Sequence, residues 1–273
     1  MVNYSCKHTG SLFFRLRGKQ SASDPQNLIR IMPAEGLRAL QTPSQAEGCF
    51  LMSTRPRAVL FVNGEARDPR RLKLLPDDYF IAVDGGLRYL FALGLKPNLV
   101  LGDFDSISED ELARCQMKGV EILRYPSQKD QTDLELAVDL ALARGFRDII
   151  IACGLGGRLD HSLGNLALLS RPDMQGAALR FDDGFTKVFL TRAELKLACQ
   201  PGDLVSLLPW HGEARGILTD GLAYPLKQET LLPWQTRGIS NVCVGDEFTV
   251  SLEVGALLVI HQTRELPIQE EKP

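Results

Sequence analysis

From Ala58 onward, short unbroken apolar runs alternate with segments whose apolar residues recur every three or four positions. The runs AVLFVNGE, YFIAVDGG, NLVLGDFDS, VEILRYP and DIIIACGLGG have the length and hydrophobicity of strands buried on both faces. Between them LRYLFALG, EDELARCQMKG, TDLELAVDLALARG and HSLGNLALLS read as helices. The third is the clearest: Leu134, Val138 and Ala141 form one stripe with Leu136 and Leu140 beside it. Thr132 and Glu135 have capping-box spacing at its start, and Gly145 is its natural stop. Strands and helices alternating in this way predict an α/β unit, a mostly parallel sheet with crossover helices.

Near Phe181 the period changes. KVFLTRAELKLACQPGDLVSLLPW, ARGILTDGLAYPL and DEFTVSLEVGALLVIHQ are short alternating runs broken by Gly, Pro and Asp, which predicts an all-β second domain of sandwich type. The expected organisation is an extension over 1–53, an α/β domain over 54–185, a β-sandwich over 186–266 and a solvated tail over 267–273. Without a low-complexity linker the two domains are expected to pack tightly. The extension holds only a scrap of apolar sequence, SLFF, too short for a secretory core. It is read as disordered or as an upstream start, because Met52 opens MSTRPRAVLFVNGE like a domain.

Composition narrows the classes of partner. A net charge of −3 argues against nucleic acid, which asks for a basic face. No stretch reaches the roughly 18 apolar residues of a membrane span. The six cysteines are scattered, with no CxxC pair, so reduced thiols and a cytoplasmic location are expected.

The candidate chemistry collects at strand ends, where open parallel sheets bind ligands. Asn63 and Asp84 end the first two runs, Asp103 and Asp105 the third, and Asp130 and Asp133 follow the fourth. Two like charges about 4 Å apart repel by about 4 kcal/mol at an effective dielectric of about 20. A divalent cation reverses that sign, and hard oxygen donors suit Mg²⁺. Each piece also has a plainer explanation: Asp in a turn bonds its own backbone, and Asp133 suits a helix start. GLGGRLDH has the makings of a phosphate cradle, with Arg158 as a fork of donors, although no Walker A loop is present. Lys129 is a second candidate phosphate contact. His161 opens a helix, and His8, His211 and His261 share no zinc-like spacing with it. In the polar loop YPLKQETLLPWQTRGISN, Trp234 either stacks on a flat ligand or plugs the domain interface, and the pattern favours the plug.

The blocks DGG, GDFDS, KDQTDLELA and GGRLDHSLGNL, followed by GLAYPL…T…RGISN and GALLVI, resemble the thiamine pyrophosphokinase family in order and spacing. The resemblance runs from about Ala58 to Gln262. It implies transfer of a diphosphoryl group from ATP to the thiamine hydroxyl, with Mg²⁺, in a homodimer whose active sites are shared between subunits. It implies Asp103, Asp105 and Asp133 as metal ligands and catalytic residues, and Asp84, Lys129, Asp130, Thr132, Arg158 and Asp160 as nucleotide and phosphate contacts. The thiamine site maps onto Ser240 and Asn241, with Trp234 as the flanking aromatic; Gln235 stands where the family pattern has glycine. Two rival readings are a DxD glycosyltransferase, which would not need the β loop, and a non-catalytic nucleotide or thiamine sensor.

Overall fold

The computed structural model describes Arg30, Ile31 and residues 57–264 apart from Gln175. The α/β part contains β1 (Arg30–Ile31), β2 (Ala58–Phe61), β3 (Tyr79–Val83), α1 (Leu87–Ala92), β4 (Leu99–Gly102) and α2 (Glu109–Met117). It continues with β5 (Glu121–Arg124), α3 (Asp133–Ala143), β6 (Asp148–Ala152), α4 (Leu159–Ala167) and β7 (Ala178–Asp182). The rest is all β: β8 (Thr186–Thr191), β9 (Leu195–Ala198), β10 (Leu204–Pro209), β11 (Ala214–Asp220) and β12 (Lys227–Leu231). Then come β13 (Asn241–Val242), β14 (Glu247–Ser251) and β15 (Leu257–Gln262).

Parallel pairing joins β1 through β7 in the order β1-β5-β4-β3-β2-β6-β7. The sheet then runs on without a break into antiparallel β8-β15-β10-β13. A second, four-stranded sheet, β12-β11-β14-β9, faces that extension. The two parts therefore share a sheet instead of meeting through a linker. Within the expected extension, Arg30 and Ile31 pair with Leu123 and Arg124 at the sheet edge. The remainder of 1–53 and the tail over 267–273 lie outside the described residues, as does His8.

Alternation along the strands explains the unbroken apolar runs. Leu60, Ile81, Leu99 and Leu101 point to one face and pack on Leu134, Val138 and Ala141 of α3. Val59, Phe61, Phe80 and Val100 point to the other and pack on Leu87, Leu90 and Cys115. A third core, including Val205, Leu207, Ile217, Phe248 and Val259, fills the space between the two sheets of the β part. At the start of α3 only half of the capping box forms. Thr132 Oγ1 accepts from the Glu135 N–H at 3.2 Å, while the Glu135 carboxylate accepts from Gln131 Nε2 at 3.1 Å.

One buried polar knot holds the β part. Asp203, 2% exposed, accepts from His261 Nε2 at 2.8 Å and from the N–H groups of Gln200 and Arg264 at 3.0 and 2.9 Å. Burial pushes its carboxyl up, but these donors outweigh that and hold it below the ordinary carboxylate range. Its contribution to stability is therefore complete above the unfolded value of about 3.9 and is lost as pH falls through the folded value. Asp203→Asn is expected to melt several degrees lower at neutral pH and to lose less stability than the parent between pH 5 and 3 on the same ground. Melting curves across that range check this; parallel losses in both proteins would contradict it.

Candidate active site

The site is built where β3, β4 and β5 end. Beyond Val83 the chain turns at Asp84, with φ 46°, into a single tight turn, Asp84–Gly86. A Cβ on Gly86 would stand 1.9 Å from the Phe61 carbonyl oxygen, so only glycine lets this turn lie against β2. Neighbouring β4 ends at Gly102, with φ 146°, where a Cβ would fall 2.1 Å from Asp84 Oδ1. The Asp84 carboxylate occupies the space that a side chain at 102 would take. Gly102→Ala, strained at this φ and crowded by Asp84, is thus expected to melt lower and to raise the metal concentration needed for half-maximal activity by about tenfold or more. A Mg²⁺ titration of turnover checks this, and an unchanged requirement would contradict it.

The next turn carries the paired aspartates. Phe104, buried and with φ 66°, donates its N–H to Asp84 Oδ1 at 3.0 Å. The Asp105 N–H donates to Asp103 Oδ1 at 3.1 Å, so the ordinary Asx turn is present as well. Arg124 donates to the Asp103 carbonyl at 3.1 Å and lies over the Phe104 ring, fixing the turn from β5. As a result, carboxylate oxygens of Asp84, Asp103 and Asp105 lie within 4.8 Å of one another.

Their charges are unevenly tuned. Burial, then the charge of Asp133, then Asp103 and Asp105 push the Asp84 carboxyl up to about 7, against the Phe104 N–H that favours ionisation. Asp103 goes the other way. Burial raises it, but the Asp105 N–H, the Ser127 hydroxyl and the Lys129 ammonium hold it below the usual range. Asp84 is thus the carboxyl of the group most readily protonated near neutral pH, and a bound cation would oppose that.

Asp133 opens α3, and its Oδ1 is buried without a hydrogen bond. The Lys129 ammonium stands 3.2 Å from that oxygen and also donates to the Pro126 carbonyl at 3.0 Å. The Lys129 side chain is itself only 5% exposed. The sequence placed Asp133 in the ligand set with Asp103 and Asp105. The tight group takes Asp84 instead, with Asp133 beside it as the largest charge effect on Asp84. Hard carboxylate oxygens crowded within 4.8 Å fit a divalent ion such as Mg²⁺.

The other expected contacts are more spread. Thr132 spends its hydroxyl on the helix cap, and Asp130 is exposed. Arg158 and Asp160 lie after β6, ion-paired to each other at 2.6 Å and largely exposed. In sheet order β6 is separated from β3 by β2 alone. His161 is exposed, His211 meets Ser170 at 2.9 Å, and His261 is committed to Asp203.

The loop expected to hold thiamine sits at the opposite edge of the sheet. Ser240, with φ 60°, donates its N–H to Ser206 Oγ at 3.0 Å. Asn241 is buried, and its amide clamps the Tyr224 backbone through bonds of 3.0 and 2.7 Å. The expectation that Trp234 plugs a domain interface is corrected. Trp234 is 76% exposed, because the continuous sheet leaves no interface there for it to fill. Tyr224, Ile239 and Val244 are exposed as well.

Sequence reasoning named Asp84 as a nucleotide contact but missed that it shares the carboxylate group. The signal was VDGG and GDFDS ending consecutive strands, which β3 and β4 pair side by side. It missed the Ser127 and Arg124 supports altogether, since nothing in their local sequence marks them.

Comparison with known proteins adds an independent line. The family model described as the thiamin pyrophosphokinase catalytic domain matches residues 73–181, and that described as the vitamin B1 binding domain matches residues 192–257. The chain is 33% identical to thiamine pyrophosphokinase of Bacillus subtilis over 187 residues, 67% of this chain and 87% of the relative. It is 28% identical to thiamine pyrophosphokinase 2 of Arabidopsis thaliana, over 65% of this chain and 70% of that one. The crystal structure of the Bacillus subtilis protein superposes with a TM-score of 0.70 at 27% identity, covering 77% of this chain and all of the other (100%). That of the yeast protein gives 0.66 at 18% identity, over 77% and 87%, a likeness of fold.

Proposed function

The chain belongs to the thiamine pyrophosphokinase family and converts thiamine to thiamine diphosphate; we propose that it does so by moving the β,γ-diphosphoryl group of ATP and releasing AMP. The observation that carries this reading is the meeting of Asp84, Asp103 and Asp105 within 4.8 Å at the carboxyl end of the parallel sheet. In the balanced step, the thiamine hydroxyl oxygen forms a bond to the β-phosphorus. The bond from that phosphorus to the α,β-bridging oxygen breaks, and the oxygen leaves with AMP.

Asp84, Asp103 and Asp105 would hold Mg²⁺, with Asp133 alongside. When bound, the ion supplies neutralisation of charge on the phosphate oxygens. Lys129 and Arg158 add positive charge, and Asp130, Thr132 and Asp160 flank the nucleotide. The hydroxyl proton needs an acceptor. Asp105 is exposed and Asp133 stands beside the carboxylate group, ion-paired with Lys129 at 3.2 Å, which makes these two the candidates. Diphosphoryl transfer asks mainly for positioning and charge stabilisation, and these residues supply both.

The α/β part, 54–185, would bind nucleotide and metal, and the β part, 186–266, thiamine through Trp234, Ser240 and Asn241. These halves lie eight strand positions apart in the sheet, from β4 to β13. At about 4.8 Å per strand that is roughly 38 Å, too far for one chain to close over a single thiamine. A homodimer in which each site takes carboxylates from one subunit and the β loop from the other resolves this. The exposed Tyr224, Trp234, Ile239 and Val244 give such a partner an apolar surface. Among the described residues no helix is long and apolar enough to cross a membrane. The buried free thiols of Cys115, Cys153, Cys199 and Cys243 suit the reducing cytoplasm.

Incubation with ATP, Mg²⁺ and thiamine tests the reading. AMP and thiamine diphosphate should appear in equal amounts and stop on chelation. AMP formed equally well without thiamine, or no thiamine diphosphate, would overturn it.

A further inference from the structure

A cavity of about 170 Å³ opens beside the carboxylates, lined by Asn63, Gly85, Arg88, Ser106, Ile107 and Glu111 among others. It shares its wall with the site already described, since Gly85 follows Asp84 and Ser106 follows Asp105, and the Gly85 N–H donates to Ser106 Oγ at 3.0 Å. Pockets that bury a drug-sized ligand run from about 300 to 1,000 Å³, so this one takes a single ring. Its wall sets the polar groups of Asn63, Arg88, Ser106 and Glu111 beside apolar Leu87 and Ile107 and contributes no aromatic face on which a base could stack.

Glu111 is the fixed acceptor in that wall. At the start of α2 its Oε2 accepts from the Ser108 N–H at 3.0 Å and from Ser108 Oγ at 2.7 Å, completing a capping box. Those bonds engage Oε2 alone and hold the carboxylate in place. They also keep it ionised, holding its carboxyl below the ordinary range. A charged, immobile oxygen in a cavity next to a diphosphate site recognises a hydroxyl donor, as acidic residues do at the ribose of dinucleotides.

We propose that this cavity seats the sugar of the nucleotide and that Glu111 accepts a hydrogen bond from a ribose hydroxyl, making it a determinant of ribonucleotide over deoxyribonucleotide use. This rests on the nucleotide reading given above. The test compares kcat/KM for ATP and 2′-deoxy-ATP in the parent and in Glu111→Gln. Glutamine still completes the capping box. Because the Ser108 donors need an oxygen, the amide NH₂ is left facing the cavity, turning the acceptor into a donor. The parent is expected to prefer ATP by about tenfold or more, the worth of a charged hydrogen bond. In the variant the preference falls to about twofold or less on the same principle, with a melting temperature lowered by no more than a few degrees.

A parent without preference, or a preference untouched by the substitution, overturns the proposal. So does a variant that alters ATP-to-GTP ranking while keeping the deoxy preference, which would place the base there instead. Calorimetric binding of ATP and 2′-deoxy-ATP with Mg²⁺ reads the same ratio without turnover. Failure of the diphosphoryl-transfer reading is therefore distinguishable from failure of this one.

Discussion

Asp103→Asn is expected to lower thiamine diphosphate formation by about 10³-fold or more, roughly 4 kcal/mol of barrier, while the protein melts within a few degrees of the parent. The expectation follows from the division of labour in the turn. Asp103 is the carboxyl held below the ordinary range by Ser127, Lys129 and the Asp105 N–H, so it is the dependable anion of the group. Asparagine keeps an oxygen able to accept from the Asp105 N–H and so keeps the Asx turn. What it removes is the charge. AMP release at saturating ATP, thiamine and Mg²⁺, read beside a thermal melt, checks this. Near-normal turnover in the folded variant would remove Asp103 from the metal site.

The second large effect concerns assembly. A chain bearing Asp103→Asn and a chain bearing Trp234→Ala with Ser240→Ala should each be nearly inactive alone. Unfolded and refolded together in equal amounts, they should regain about a quarter of parental activity. Half of the dimers formed at random are mixed, and each mixed dimer has one intact site of two. The physical ground is the sheet order, which keeps β13 and its loop at the edge opposite β4 and β5. No recovery on mixing would mean that each chain completes its own site, and the sheet would then have to bend back on itself to a degree its pairing does not suggest.

Much of this was legible in the chain, for reasons that differ by element. The strands β2, β3, β4 and β6 were plain because residues on both faces are buried, which leaves no polar gap in the run. The start of α3 was legible in its cap, yet only half of the box formed, because Gln131 offered Glu135 a competing donor that local spacing does not reveal. Joining the two parts through the β7–β8 hairpin was not legible: the change of period marks a change of strand partner but not whether the sheet stops there. At the site, the DxD motif pointed to the turn, whereas the choice of Asp84 over Asp133 for the tight group depends on β3 pairing with β4. The plug reading of Trp234 failed because an aromatic in a polar loop gives the same pattern whether it is buried or exposed.

Mn²⁺ in place of Mg²⁺, counted by electron paramagnetic resonance with a non-hydrolysable ATP analogue, puts the central idea to its most direct test. The account predicts Mn²⁺ bound tightly on the protein with the nucleotide, and loss of that binding in Asp103→Asn and Asp105→Asn. Equal Mn²⁺ occupancy in the parent and both variants would contradict it.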